Sequence, residues 1–260
     1  MSNKKGIIII IFLILLSIVL SSYIIYDKFL KKEEEKSTTI KIDSVDVNIE
    51  DMFQINEILN TFDKAFNDPS SKFFAYPYKN KLYMKKFDKE AAIYVSMYDE
   101  IEKSNIVQTI RESKVKANFS KIFGDNLKYE RKNFEVGSGY KIEFGTTDYV
   151  AYISPTKSND LYPPEYIIIT TKTNIEDNKV ILTRKLAYIE YVKLASNNEV
   201  SQAIVYKDKT KSKEIGRVNL KNGEIRKDEI VGSFSSKLST YLYTFNYHKS
   251  KYSLYKISEK

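Results

Sequence analysis

The chain opens with a continuous apolar segment, Gly6 to Tyr26, and the first charged residue after it is Asp27. An α-helix rises about 1.5 Å per residue, so about 20 apolar residues cross the roughly 30 Å hydrocarbon core of a bilayer. The segment therefore predicts an uncleaved transmembrane anchor within residues 1–26. A cleaved signal peptide is the alternative, since Val19 and Ser21 resemble a small-x-small cleavage site, but the apolar residues continue past that point.

The charges on the two sides of the apolar segment favour opposite orientations in the membrane. Lys4 and Lys5 precede it, but four lysines follow within residues 27–36, and the lysine count alone would keep the C-terminal part in the cytoplasm. A short basic N-terminus before an apolar run is, however, the form of an export signal, and long domains translocate largely regardless of charge. We expect a single-pass protein of the cell membrane whose C-terminal domain is extracytoplasmic.

Composition divides the chain into three parts. Residues 1–26 form the basic end and the anchor, residues 27–39 a charged stalk, and residues 40–260 an α+β domain. A lysine-rich stretch at 208–214 is either a sub-boundary or a mobile loop within one domain. The chain has no cysteine, so a lipid-modified cysteine is excluded and the domain must be held together by its own hydrophobic core.

Helical patterns come first in this domain. Apolar residues repeat at helical spacing from Ile55 to Phe66, ahead of Asp68 and Pro69, and predict a first helix. A second is predicted at Asp88 to Lys103. A third ends at Phe123, where Gly124 suits the left-handed conformation of a helix C-terminus.

Strand patterns fill the rest of the domain. A short strand is also predicted before the first helix, at 40–47. After the helices the predicted strands are 129–136, 140–144, 149–153, 165–173, 180–194, 200–207, 241–247 and 252–258, with turns at Asn197-Asn198 and Asn222-Gly223. The fold class is therefore α+β, an N-terminal transmembrane helix followed by about three helices packed on a curved antiparallel sheet.

Two stretches carry a resemblance at the level of element order, the helix end 118–124 (NFSKIFG) and the closing strand 241–245 (YLYTF). One span, then helices, then a curved antiparallel sheet resembles anchored NTF2-like domains, including inner-membrane scaffold proteins of type IV secretion. It also resembles uncharacterised single-pass envelope proteins of low-GC Gram-positive bacteria. The resemblance implies a scaffold or a shallow pocket.

The residue inventory closes most catalytic routes. His248 is the single histidine and cysteine is absent, which excludes zinc sites built on several histidines and cysteine nucleophiles. No glycine-rich phosphate loop or calcium loop occurs, and four Ser-x-x-Lys pairs are as many as chance predicts in a chain this rich in lysine. We therefore expect no enzyme and no cofactor, with an envelope enzyme that uses carboxylates or a serine–lysine pair, or a small-ligand pocket protein, as alternatives.

A basic and aromatic stretch is the main candidate binding surface. Lysine and arginine number 42, of which five are arginine, a bias typical of AT-rich bacterial genomes and unfavourable for nucleic-acid recognition. Between residues 72 and 89 lysines alternate with rings, and this pattern suits anionic phospholipids or an anionic envelope polymer. The solvated-lysine, buried-ring interpretation is the alternative. The candidate residues are Tyr76, Tyr78, Lys79, Lys81, Tyr83, Lys85, Lys86 and Lys89.

A second candidate surface is the stiff loop around Pro163 and Pro164, flanked by Tyr162 and Tyr166. Exposed tyrosines on a rigid loop suit contact with a protein or a glycan. The sequence thus predicts a membrane-anchored, non-catalytic binding or scaffolding protein of the bacterial cell envelope. Its expected partners are the membrane, through one span, and an anionic envelope polymer or another envelope protein.

Overall fold

The computed structural model describes residues 49–78, 82–101, 106–153, 162–176, 178–193, 200–221 and 223–260. The described residues belong to one compact unit, Asp46–Lys260. The predicted anchor, the stalk and the predicted strand at 40–47 lie outside the described residues. Within the described ranges, no helix combines the length and the apolar character that a membrane span requires.

The described ranges contain four α-helices on antiparallel sheets, so the α+β class is confirmed, with one helix more than expected. Helix α1 carries the predicted apolar stripe, since Ile55, Phe62 and Phe66 are fully buried. Helix α4, which the sequence pattern did not predict, follows a tight turn at which Lys221 and Glu224 pair. The helices are α1 at Ile49–Phe66, α2 at Lys89–Met97, α3 at Glu112–Phe123 and α4 at Lys227–Phe234.

Helix α2 is buried on all sides. Asp88 caps it by accepting a hydrogen bond from the backbone N–H of Ala91 at 2.9 Å, and every residue from Ala91 to Met97 is buried. The helix ends at Met97 and a 3₁₀ turn follows at Tyr98–Glu100, so the prediction of a helix to Lys103 was too long. The sequence did not reveal that α2 ends at Met97, because apolar residues continue at helical spacing to Ile101.

Helix α3 ends as predicted at a glycine. Gly124 has φ of +52°, a conformation that other residues rarely adopt. A Cβ atom at this position would lie 2.7 Å from the hydroxyl oxygen of Ser253. Gly124 therefore both ends α3 and admits the last strand of the sheet at close range.

A four-stranded antiparallel sheet has the order β2-β5-β4-β3. Strands β4 and β5 have the predicted bounds, β3 begins five residues later than predicted, and β2 was not predicted. The backbone N–H of Lys72 donates to the carbonyl of Val136 at 2.6 Å, which ties β3 to the chain after α1. The strands are β2 at Val107–Ile110, β3 at Phe134–Gly137, β4 at Tyr140–Phe144 and β5 at Tyr149–Ile153.

A seven-stranded antiparallel sheet holds the other strands, so the single predicted sheet is in fact two. Its order is β1-β11-β10-β7-β8-β9, and β6 pairs with β7 beside this path. The sheet contains β1 at Leu82–Tyr83, β6 at Glu165–Glu176, β7 at Lys179–Lys193, β8 at Val200–Tyr206, β9 at Glu214–Asn219, β10 at Ser239–His248 and β11 at Lys251–Glu259.

Strand β7 has three partners. Strand β6 occupies one edge of it, from Lys179 to Ile189. The other edge is shared, because β10 pairs with β7 up to Leu186 and β8 pairs with it from Tyr188 onward. The sheet therefore forks beside Ala187, where β8 ends and β10 begins.

The fork separates two hydrophobic cores. Side chains of β7 alternate between the two faces of the strand, so that Leu186 and Tyr188 pack in a main core with α1, α2 and α3. Ala187 and Ile189 pack in a smaller second core, which Ile230 of α4 covers. Both faces of β7 are thus buried at this point, which explains why the four residues 186–189 are all apolar.

Helix α1 is fastened to the forked sheet by two polar contacts. The buried guanidinium of Arg184 on β7 donates to both carboxylate oxygens of Asp63, at 2.8 and 2.5 Å, and it lies 4.8 Å from the ring centre of Tyr243. Burial opposes the charge of Arg184, but the hydrogen bonds that it donates to the Asp63 carboxylate outweigh this effect and raise the pKa of Arg184. One turn later, the side-chain amide of Asn67 accepts from the N–H of Tyr166 at 2.6 Å and donates to its carbonyl at 3.0 Å.

We predict that Asp63→Ala lowers the free energy of unfolding by about 3 kcal/mol, because it leaves the Arg184 guanidinium buried without its partner. The double variant Asp63→Leu/Arg184→Met should recover most of this loss, since neither charge then remains. Urea unfolding of the detergent-solubilised chain, followed by tyrosine fluorescence, measures both. Lys64→Ala, at an exposed position of the same helix, is the control. A loss below about 0.5 kcal/mol for Asp63→Ala would show that the pair does not fasten α1.

Candidate functional site

The predicted basic and aromatic surface divides into a buried part and an exposed part. Lys79 and Lys81 lie outside the described residues. Tyr76 packs its ring against Phe66 and Phe87, and its hydroxyl oxygen accepts a hydrogen bond from the N–H of Asp88 at 3.1 Å. Its role in the described chain is to hold the start of α2.

Tyr78 is partly buried and packs against the main core. Its ring lies 5.4 Å from the ring centres of both Tyr166 and Tyr241, and its hydroxyl oxygen accepts a hydrogen bond from Tyr243 at 3.2 Å. Burial raises the pKa of Tyr78 well above its ordinary value, so the phenol stays neutral. The sequence could not distinguish it from its exposed neighbours, because buried and exposed rings alternate irregularly in this turn-rich stretch.

The exposed part forms where the two-residue strand β1 pairs with β11. Tyr83 stands opposite Lys256 in this pairing, and the ring centres of Tyr83 and Tyr255 are 6.0 Å apart. The ammonium groups of Lys85 and Lys256 lie 5.9 and 5.6 Å from the ring centre of Tyr83. We call Tyr83, Lys85, Tyr255 and Lys256 the Tyr83 patch.

The Tyr83 patch gathers positive charge without neutralising it. Neither Lys85 nor Lys256 forms an ion pair with any carboxylate in the part of the chain that the structure describes, and the neighbouring Lys86 is exposed with no such partner either. A ring face attracts cations through its quadrupole, so Tyr83 holds two like charges near one point. Such a surface attracts anions, with strength that falls as salt rises.

Lys89 takes a structural role instead. Its ammonium group donates to the carbonyl oxygen of Lys128 at 2.8 Å and to the carboxylate of Glu130 at 3.2 Å. These contacts tie the first turn of α2 to the segment after α3. Lys89 is therefore already paired, whereas sequence reasoning placed it on the anion-facing surface.

The two tyrosines of the predicted contact loop also separate. Tyr166 is 4% exposed and hydrogen-bonded through its backbone to Asn67, so its predicted contact role is corrected to a place in the main core. Tyr162 is half-buried, with its ring 5.2 Å from that of Tyr191. Only Tyr162 keeps part of its ring at the surface.

Sequence reasoning missed Tyr255 and Lys256, although they complete the Tyr83 patch. They follow Tyr83 by more than 170 residues, and only the β1–β11 pairing brings them together. The strand β11 has a register shift opposite Thr244 and Phe245. Tyr255 is the extra residue at this bulge, which turns both Tyr255 and Lys256 partly outward, and an alternating pattern could not have revealed it.

Glu112, at the first turn of α3, is a carboxylate with a strongly lowered pKa. It accepts two hydrogen bonds from Arg131, at 2.8 and 3.0 Å, an ion pair from Lys116 at 3.1 Å and a hydrogen bond from Tyr129 at 3.2 Å. The hydrogen bonds from Arg131 are the main reason that the pKa of Glu112 falls to about 2, and burial acts against them. A carboxylate this well satisfied stays ionised and is suited to fastening α3, not to donating a proton.

Within the described ranges, no three histidine, cysteine, aspartate or glutamate side chains lie close enough together to hold a metal ion.

Comparison with known proteins does not identify a family for this chain. No family model matches it, and neither a curated protein nor a solved structure matches it. The candidate site therefore rests on the Tyr83 patch alone.

We predict that Glu112→Gln lowers the free energy of unfolding by about 2 kcal/mol at neutral pH, because it weakens the charged hydrogen bonds from Arg131. The folded-state pKa, about 2, is below the ordinary 4.5, so this contribution is complete above pH 5. It disappears as pH falls from about 4.5 towards 2. Unfolding curves of both proteins between pH 7 and 2 should therefore converge in acid. Glu224→Gln, at an exposed acid, should change neither the stability nor its pH dependence; curves of wild type and Glu112→Gln that stay parallel in acid would contradict the prediction.

Proposed function

We propose that this chain is a single-pass membrane protein of a bacterial cell envelope and that its extracytoplasmic α+β domain binds an anionic envelope polymer without catalysis. The observation that carries the proposal is the Tyr83 patch. Lys85, in the turn after β1, and Lys256, on β11, both lie close to the ring of Tyr83. No described carboxylate neutralises them.

The chemistry of the patch favours a polymer with repeated phosphate groups. Lysine ammonium groups act as compact point charges that attract phosphate without demanding one geometry. Tyr83 and Tyr255 supply partly apolar surface at low cost in side-chain freedom. The exposed ammonium of Lys86 extends the positive surface by one residue, so a chain of phosphates could contact several lysines in succession.

Two further features support this function. The apolar segment at 6–26 has the length of a membrane span, and such an anchor would hold the domain close to anionic polymers outside the membrane. Helices packed on antiparallel sheets are compatible with the resemblance to anchored NTF2-like scaffold domains, although fold alone does not define function. The alternative of an envelope enzyme that uses carboxylates has no comparable support at Glu112, because Arg131 and Lys116 already pair with its carboxylate.

We predict that the triple variant Lys85→Glu/Lys86→Glu/Lys256→Glu weakens binding to polyglycerol phosphate at least about 100-fold, since each lysine near an anionic surface contributes about 1 kcal/mol. The full chain, reconstituted in discs of neutral lipid, is titrated with the polymer at 50 and 200 mM salt. Wild-type affinity should fall steeply with salt.

The matched control reverses three exposed lysines elsewhere, Lys172, Lys213 and Lys237, and so changes the net charge equally. It should retain most of the affinity. Equal losses in the two triple variants would show that net charge acts and not the patch. Tight binding to phosphatidylglycerol vesicles with none to the polymer would identify lipid head groups as the source of phosphate and overturn the polymer assignment.

We predict that protease added to intact protoplasts removes a C-terminal tag from this chain while a cytoplasmic control protein survives. The expected result follows from an N-in, C-out orientation of the span. A protected tag, which appears only after the protoplasts are lysed, would place the domain in the cytoplasm and overturn the envelope function.

A further inference from the structure

A polar pocket of about 380 Å³ opens where two hairpins end. The end of the β6–β7 hairpin meets strand β10 there, because the N–H of Tyr247 donates to the carbonyl of Asn178 at 2.8 Å. The floor comes from β11, where the hydroxyl oxygen of Ser253 accepts from the amide of Asn126 at 3.2 Å. The lining residues are Asp125, Asn126, Asn178, Lys179, Asn246, Tyr247, His248 and Ser253.

The amide that a ligand in the pocket can reach is that of Asn178, which is exposed. The side-chain oxygen of Asn246 is buried and accepts no hydrogen bond from any described residue. Because that oxygen is closed to solvent, a molecule in the pocket does not contact it, and the polar side chains within reach are those of Asn178 and Asp125.

An exposed ring forms one wall. Tyr247 is 39% exposed, one of four large apolar side chains that the structure describes as exposed. Its ring is held in place by the ring of Tyr252, 4.9 Å away. A fixed and accessible aromatic face packs well against the C–H groups of a flat, partly polar molecule.

The lining of the pocket contains one carboxylate, that of Asp125, and one ammonium group, that of Lys179. The carboxylate of Asp125 lies 3.2 Å from the ammonium group of Lys249 and 3.7 Å from the imidazole of His248. The amide of Asn178 supplies both donors and an acceptor. The pocket therefore favours a ligand with many hydroxyl groups and little net charge, in contrast to the Tyr83 patch.

We propose that this pocket binds a neutral pyranose sugar, with the sugar ring packed on Tyr247 and its hydroxyl groups paired with Asn178 and Asp125. A pyranose offers on one ring an apolar C–H face and hydroxyl groups that both donate and accept. Both features match the walls described above, and the volume is within the range of about 300–1,000 Å³ typical of small-molecule pockets. The site shares no residue with the Tyr83 patch, so it does not rest on the proposed polymer binding.

The test uses the full chain in discs of neutral lipid and two β-1,4-linked trisaccharides, cellotriose and chitotriose. Saturation-transfer NMR should show transfer from the protein to at least one of them, with a dissociation constant of the order of 1 mM. Tyr247→Ser should raise that constant at least about tenfold, and Asn178→Ala, at an exposed position, should raise it several-fold. Tyr152→Ser, which removes a half-exposed ring on the four-stranded sheet, is the matched control and should leave it unchanged.

Three results would overturn the sugar site: no transfer to either trisaccharide, an unchanged dissociation constant for Tyr247→Ser, or affinity that falls steeply with salt as polymer binding should. The charge-reversed variant at Lys85, Lys86 and Lys256 separates the two proposals. It should lose the polymer and retain the trisaccharide, so a failure of one proposal is distinguishable from a failure of the other.

Discussion

The rest of the described fold depends on strand β7, because this strand pairs with three other strands and contributes side chains to two hydrophobic cores. Strand β6 pairs along one edge, and β10 and β8 share the other. Its two faces supply the main core and the second core. Because three strands pair with β7, few of its backbone groups are left unsatisfied. Helices α1 and α4 and the β6–β7 and β10–β11 hairpins are positioned relative to it.

The buried ion pair between Asp63 and Arg184 connects helix α1 to strand β7 of the forked sheet. Arg184 is on the face of β7 that points into the main core, where an unpaired guanidinium would be very costly. Asp63 supplies its partner, and one turn later Asn67 holds the first residues of β6. The end of α1 is thus fixed by polar contacts that have a defined geometry, whereas apolar packing alone would tolerate several orientations.

Both proposed binding surfaces lie at ends and edges of the seven-stranded sheet, where two strands that are distant in sequence meet. The Tyr83 patch forms across the β1–β11 pairing. The polar pocket forms between two hairpin ends. Side chains at sheet edges and hairpin ends are not packed in the core and can contact water, so exposed polar groups there can lack a protein partner at a small cost in free energy.

Local patterns determined α1, the C-terminal glycine of α3 and strands β4 and β5, since apolar periodicity and glycine conformation act over a few residues. They also determined the chemical character of the chain, basic in lysine and without cysteine. Only the tertiary structure decided that Tyr78 packs against the main core, that Tyr166 is buried, that Lys89 is paired and that Lys256 joins Tyr83. These facts depend on strand pairing, a bulge and side-chain contacts between residues at least 39 positions apart in the chain, and no local sequence window contains such contacts.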